Sequence, residues 1–335
     1  MPISAERVRA GGSVLRAGPL PLPLSARIGA TAAPGPMLPG AAGREAWFGQ
    51  AVFGLMAAVH DHCAAPGDPA PLAARAEAIL SALEAHVAPE TGAEAEFLGA
   101  RTLFAVLASA DLAGLPGIAP RSAGLVGRFA RAAPDGGDPL KLSTRNNHVL
   151  MKAAALGLYG ILAEEPAAWA EARAGYARYL GSLSPEGIPV HEAVRGASAG
   201  WYCNLAVMLI VRFQSMALRH EGSLPEAEAA RLALAVGALG RIAGQPELLH
   251  PWSRRNMYPH PAHGTDPFAI DTGFLRGYHR SRHYLAWVPL FEALQGAEAL
   301  PAAIAAAARG SSDHFPKGSE FIGGFADLMC APPPG

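Results

Sequence analysis

Residues 147–183 read NHVLMKAAALGLYGILAEEPAAWAEARAGYARYLGSL, and this stretch decides the fold. Leu150, Leu156, Leu158 and Ile161 fall on one face of a helix, the run breaks at Glu165-Pro166, and a second helical run continues to 183. Alanine, the best helix former, fills both halves. A break this short between two long helices turns the chain back antiparallel to itself. The same unit recurs outward in both directions. Trp47, Phe48, Val52, Leu55, Met56 and Val59 mark an amphipathic helix that stops before Pro66-Gly67, and helical stretches follow at 69–87, 94–112 and 122–132. Beyond 183 they continue at 201–220, 224–243, 282–296 and 300–309. A succession of helical hairpins without a strict repeat predicts an all-α fold of antiparallel helical hairpins, a toroid or solenoid rather than a four-helix bundle.

Two segments stand outside this pattern. Residues 1–43 are rich in Gly, Pro and small residues and read as an extended or partly disordered N-terminal arm, which leaves 44–335 as one domain. Residues 244–281 hold five prolines together with Trp252, Tyr258, Phe268, Tyr278, the histidines His250, His260 and His263, and four arginines. A long irregular segment inside a compact domain is functional or disordered, and the aromatic content favours function.

Composition excludes several classes. With 335 residues, half of them apolar, the chain can bury a large core. Its 27 Lys+Arg against 28 Asp+Glu produce no basic field for nucleic acid. Cys63, Cys203 and Cys330 are too few and scattered for a disulfide framework or a thiolate metal site, and the pair His260 and His263 lacks a third ligand. The strongest apolar run, Leu205 to Val211, falls far short of the roughly 20 residues that a membrane span needs.

The chemistry-bearing residues lie at two helix starts. Lys141-Leu-Ser-Thr-Arg-Asn-Asn-His148 leads into a helix for which Asn146 or Asn147 is a natural N-cap, with His148 in the first turn. There the helix dipole disfavours the imidazolium. The second run is His191-Glu-Ala-Val-Arg-Gly-Ala-Ser-Ala-Gly-Trp-Tyr-Cys-Asn204. If it is helical throughout, Arg195 and Tyr202 are two turns apart on one face. Each piece alone has a plainer reading: a cap and a loop-bridging histidine, or an arginine paired with Glu192 beside a half-buried tyrosine.

Together the two pieces resemble the alginate lyase family, mannuronate lyases with an (α/α) toroid fold. In that family Asn-Asn-His opens one helix, and a later run of Arg and Tyr ends Tyr-His-Asn-Tyr-Ala-Leu, where this chain has Tyr202-Cys-Asn-Leu-Ala-Val207. Gly187-Ile-Pro-Val-His-Glu192 is similar to Gly-Phe-Leu-Pro-Asn-Glu, and Leu285-Ala-Trp-Val-Pro-Leu-Phe291 to Ser-Trp-Leu-Glu-Pro-Tyr. Phe321-Ile-Gly-Gly-Phe325 stands where the family has a terminal Gly-Gly segment. The likeness covers about 141–216 and parts of 282–325. It departs at Val149-Leu-Met151, where the family has aromatics, and at Cys203, and both departures are expected to touch the substrate cleft.

The resemblance implies a polysaccharide lyase that cleaves a uronate polymer by β-elimination. The substrate is alginate-like or a glucuronate-containing exopolysaccharide. Such a reaction needs donors for the charge that develops on the C5 carboxylate, a role suited to Asn147 and Arg195. Tyr202 is then implied as acid, and also as base in a syn elimination, with His148 as base or carboxylate neutraliser. Asn146, Trp201, Arg254, Tyr258, Arg276, Tyr278, His279 and Trp287 are candidate substrate-binding residues, aromatics for sugar faces and cations for carboxylates. No metal or organic cofactor is expected, and the partner is an acidic polysaccharide, with no nucleic acid and no membrane span. The family implies a periplasmic location, while the N-terminus shows no continuous apolar signal region. Two other readings remain: a toroidal glycoside hydrolase using carboxylates such as Glu192, Asp266 or Asp271, and a catalytically silent glycan-binding protein.

Overall fold

The computed structural model describes residues 23–27, 35–254, 269–276, 278–279, 282–310 and 317–330. The long helices among them are α1 (Ala41–Ala64), α2 (Ala70–His86), α3 (Ala93–Ala113), α4 (Asn147–Leu162), α5 (Pro166–Gly181), α6 (Ala199–Glu221), α7 (Glu226–Gly244), α8 (Val288–Gln295) and α9 (Ala302–Gly310). Most begin and end within a few residues of the spans expected from periodicity.

The helices form two layers. Helices α1, α3, α4, α6 and α8 follow one another side by side as an inner row, while α2, α5, α7 and α9 pack on its outside. Sequence explains the division. Helices α3, α4 and α6 are apolar or small on nearly every side and are buried almost throughout, whereas α2, α5 and α7 bury a single stripe. The window 196–221 is long and apolar enough to cross a membrane by composition, yet 78% of it is buried inside the protein. Close helix approach depends on small residues. A Cβ on Gly160 of α4 would lie 2.6 Å from the Trp169 backbone nitrogen of α5, so only glycine admits this contact.

The row closes on itself. The helical turn Ala326–Cys330 packs against α8, and Phe325 just before it packs on Phe53 and His60 of α1, with ring centroids at 5.9 and 5.3 Å. His60 Nε2 and Asp327 Oδ2 are 3.0 Å apart. The last described segment therefore meets the first inner helix, and the hairpins form a toroid.

Three expectations need correction. Residues 122–132 are not one helix but the short turns Ile118–Arg121, Ala123–Val126 and Gly127–Arg131. The span 282–296 begins as a strand: β1 (Tyr278–His279) pairs antiparallel with β2 (Arg282–His283), and helix starts only at Val288, with Pro289 in its first turn. Within the expected arm, Leu24–Arg27 is a helical turn. Leu24 is buried in the core, and the Leu24 and Ser25 N–H groups donate to the Asp61 carboxylate of α1 at 2.5 and 2.9 Å. Residues 1–22 and 28–34 lie outside the described residues.

One glycine fixes the approach to the second chemistry-bearing run. Gly187 has φ +87°, and a Cβ there would sit 2.4 Å from the Leu234 carbonyl of α7. Both the left-handed backbone and the contact exclude a side chain. Gly187→Ala is expected to destabilise the fold by about 2–4 kcal/mol, one part from φ and the other from overpacking. A denaturant midpoint equal to that of the wild type would contradict this.

Candidate functional site

The site is built at the N-terminus of α4. Asn146 is the N-cap: its backbone is extended and its side-chain oxygen accepts the His148 N–H at 3.0 Å. Asn147 and His148 occupy the first turn, and all three side chains are buried. The His148 ring stacks on Phe97 of α3 with centroids 4.4 Å apart. Phe97 in turn meets Phe321, and the Arg101 guanidinium lies over both rings, at 6.0 and 5.5 Å.

A second side of the site comes from residues 190–204. The short helix Val190–Ala193 ends before Arg195, and Gly196, with φ +54°, breaks the path, so α6 begins at Ala199. Arg195 is therefore not on the helix that carries Tyr202, contrary to the two-turn geometry expected from spacing. The two still meet: the Arg195 guanidinium carbon lies 4.3 Å from the Tyr202 ring centroid. Tyr202 is half-buried, whereas its neighbour Cys203 is fully buried.

Glu192 joins the two sides. Its Oε1 accepts the backbone N–H of Asn147 and the phenol O–H of Tyr179 on α5, the latter at 3.3 Å. A carboxylate at this position completes the cap of α4 and meets its positive dipole end. Burial pushes the Glu192 carboxyl up to about 7, opposed by the Arg195 charge, the Asn147 N–H and the Tyr179 hydroxyl. Burial and the neighbouring Glu192 carboxylate also raise the Tyr179 phenol and the Cys203 thiol well above their ordinary values. His191 is lowered by burial and by the nearby Arg145 charge. Asn147, Glu192, Arg195 and Tyr202 thus form one continuous run of contacts, with His148 in the same helical turn as Asn147.

The outer candidates divide. Trp201 is half-buried, donates from Nε1 to Asp271 Oδ2 at 2.8 Å, and meets Tyr284 edge-on at 3.9 Å. Asp271 also accepts the Gly273 N–H and donates its own N–H to the Ala197 carbonyl, which anchors 269–276 against the start of α6. Arg276, at the end of that anchored turn, and Arg254 are exposed. Tyr278 and His279 lie on β1, and Tyr258 falls outside the described residues.

Trp287 is a correction. It is fully buried and donates from Nε1 to Asn204 Oδ1 at 3.0 Å, while Asn204 donates to the Tyr284 carbonyl at 2.9 Å. A ring with no exposed face cannot stack on a sugar; it braces α6 against the turn before α8. The departures at 149–151 and 203 are corrected likewise. Leu150, Met151 and Cys203 are core residues, and only Val149 is partly exposed.

Phe97, Tyr179 and the bridging role of Glu192 were not foreseen. Phe97 carries no sequence signal, whereas Glu192 stands in the Gly187–Glu192 stretch. A cavity of about 430 Å³ lies beside the site, between α4 and α5, but none of Asn147, His148, Arg195 and Tyr202 lines it. Two of its cations are already engaged, Arg131 with Glu165 and Glu171, and Lys152 with Glu96. Among the described residues no cluster of three His, Cys, Asp or Glu is placed to hold a metal; His260 and His263 are outside them.

Known proteins share this architecture. The alginate lyase family model matches residues 124–247, which contain Asn146, Asn147, His148, Glu192, Arg195 and Tyr202. The crystal structure of alginate lyase A1-III from Sphingomonas species A1 superposes with a TM-score of 0.62 at 16% identity, covering 97% of this chain and 95% of that one. A variant of alginate lyase A1-III complexed with a tetrasaccharide superposes with a TM-score of 0.61 at 18% identity, over 98% and 94% of the two chains. The chain matches no curated protein sequence. The matched segment carries the whole Asn147–Glu192–Arg195–Tyr202 run, and over that segment the chain is similar to the alginate lyase family, within a toroid that it shares with the solved alginate lyases.

Proposed function

We propose that this protein is a polysaccharide lyase that cleaves a uronate-containing chain by β-elimination and leaves a 4,5-unsaturated end. The observation that carries the reading is the Arg195–Tyr202 contact, linked through Glu192 to the Asn147 turn. It supplies a planar cation and an amide beside a phenol. Asn147 and Arg195 hold the C5 carboxylate and take the charge that develops on it as H5 leaves. Tyr202, or His148 for the opposite stereochemistry, removes H5, and Tyr202 returns a proton to the O4 leaving group. The protein's own donors neutralise the carboxylate in this scheme. Trp201, Arg254 and Arg276, with Tyr278 and His279 of β1, remain the residues proposed for neighbouring sugars, and Asn146 sets the helix start that carries Asn147.

A tetrasaccharide occupies variants of alginate lyase A1-III, and by the shared fold an acidic oligosaccharide is the substrate class proposed for this chain. Among the described residues the glycoside hydrolase reading finds no carboxylate pair, because Glu192 is sealed within the core and Asp271 is held by Trp201 and Gly273, while Asp266 lies outside them. The test is incubation with polymannuronate, polyglucuronate and a glucuronate-containing exopolysaccharide. Expected is a rise in ultraviolet absorbance from the new double bond with at least one polymer. Saturated product ends would sink the lyase reading in favour of hydrolysis, and unchanged chain length with all three in favour of a binding protein.

A further inference from the structure

Glu192 is buried to 0% exposure, yet nothing in a β-elimination scheme uses it. It is faced from every side: the Asn147 N–H of α4, the Tyr179 hydroxyl of α5, the Cys203 thiol of α6 and the Arg195 guanidinium of the turn that follows it. Its second oxygen, Oε2, is buried without a hydrogen-bond partner among the described residues, and so is Nε of Arg195. Buried polar atoms left without a partner on a carboxyl and on the guanidinium whose charge acts on it are costly. Glu192 is thus only partly satisfied, and Arg195 has donor capacity to give elsewhere.

We propose that Glu192 is a positioning residue that holds Asn147 and Arg195 toward the substrate carboxylate and takes up a proton from solvent when that carboxylate binds. The inference rests on the lyase reading. Its physics is linkage: a uronate carboxylate arriving at Arg195 places a second negative charge beside Glu192 and draws off the cation that stabilised its ionised form. Both changes favour the neutral acid. The proton moves from water to Glu192, and the charge of Arg195 passes from Glu192 to substrate. No bond to carbon is made or broken.

Of Tyr179, Cys203, His191 and Glu192, only Glu192 is brought to about 7. Tyr179 and Cys203 are raised and stay protonated, His191 is lowered and stays neutral, while Glu192 stands at about 7. A folded value above the usual 4.5 means that the protonated form is held below 7 and lost as pH rises through it. Proton uptake on binding is therefore expected at and above neutral pH.

The experiment is calorimetric titration of a saturated tetramannuronate or tetraglucuronate, chosen by which polymer the wild type cleaves, into the Tyr202→Phe protein. Buffers of different ionisation enthalpy then reveal the protons exchanged. At pH 7 about half a proton taken up per tetramer is expected, and its loss in Tyr202→Phe/Glu192→Gln. Equal uptake in the two proteins, or binding with no uptake in the first, overturns the proposal and leaves the lyase reading intact. Absence of both cleavage and binding overturns both. Should the double variant fail to fold, ¹³C resonances of glutamate-labelled protein give a second measure. The signal lost in Glu192→Asp is expected to titrate near neutrality and to move upward with tetramer bound. An ordinary carboxylate titration, or no movement, overturns the proposal. A merely structural cap moves neither the proton count nor this shift.

Discussion

Tyr202→Phe is expected to lower kcat by roughly 10³–10⁴-fold while leaving the affinity for a saturated uronate tetramer within about threefold. The substitution removes one oxygen. The ring that meets the Arg195 guanidinium at 4.3 Å remains, so the packing that orients Arg195 is kept. What is lost is the group proposed to give a proton to the leaving O4 and, in a syn elimination, to remove H5. Each positioned transfer is worth roughly 10²–10⁴-fold, and ground-state binding gains little from the hydroxyl. Steady-state kinetics by double-bond absorbance, with calorimetry on the same protein, separate the two effects. Turnover within tenfold of the wild type would remove Tyr202 from the chemistry and leave His148 to carry the proton.

How much of this was legible in the sequence depends on the range of the interaction that decides each feature. Asn146 caps α4 and His148 lies in its first turn because capping is settled within a few residues of chain. The hairpin order was legible for the same reason, since periodicity and Pro or Gly breaks are local. Arg195 shows where local reading fails. Seven residues from Tyr202, it fits one helix on paper, but the positive φ at Gly196 ends that helix, and the contact is remade through space instead. Trp287 and Glu192 fail differently. Whether a tryptophan faces solvent or core is decided by Asn204, 83 residues away, and whether a glutamate pairs on the surface or caps a helix is decided by Asn147, 45 residues away. Phe97, stacked on His148 from another helix, is one apolar residue among many until the tertiary fold selects it.

Arg195 carries the second large prediction. Arg195→Ala is expected to cost roughly 10²–10³-fold in kcat/KM, the usual loss when one preorganised donor to a developing oxyanion is removed. Arg195→Lys is expected to recover only part of this, remaining about 10²-fold down, because the charge alone does not reproduce the planar fork. A guanidinium presents one flat face to the Tyr202 ring and keeps its edge for a carboxylate; an ammonium must choose between them. The Ala variant also removes the charge that opposes burial at Glu192, so that carboxyl should rise further. Free guanidinium added to Arg195→Ala should restore activity in proportion to its concentration, a rescue open to a missing donor and closed to a collapsed fold. If Lys restores turnover to within about threefold of the wild type, Arg195 serves as a point charge only, and the stacked, two-pronged geometry has no part in the rate.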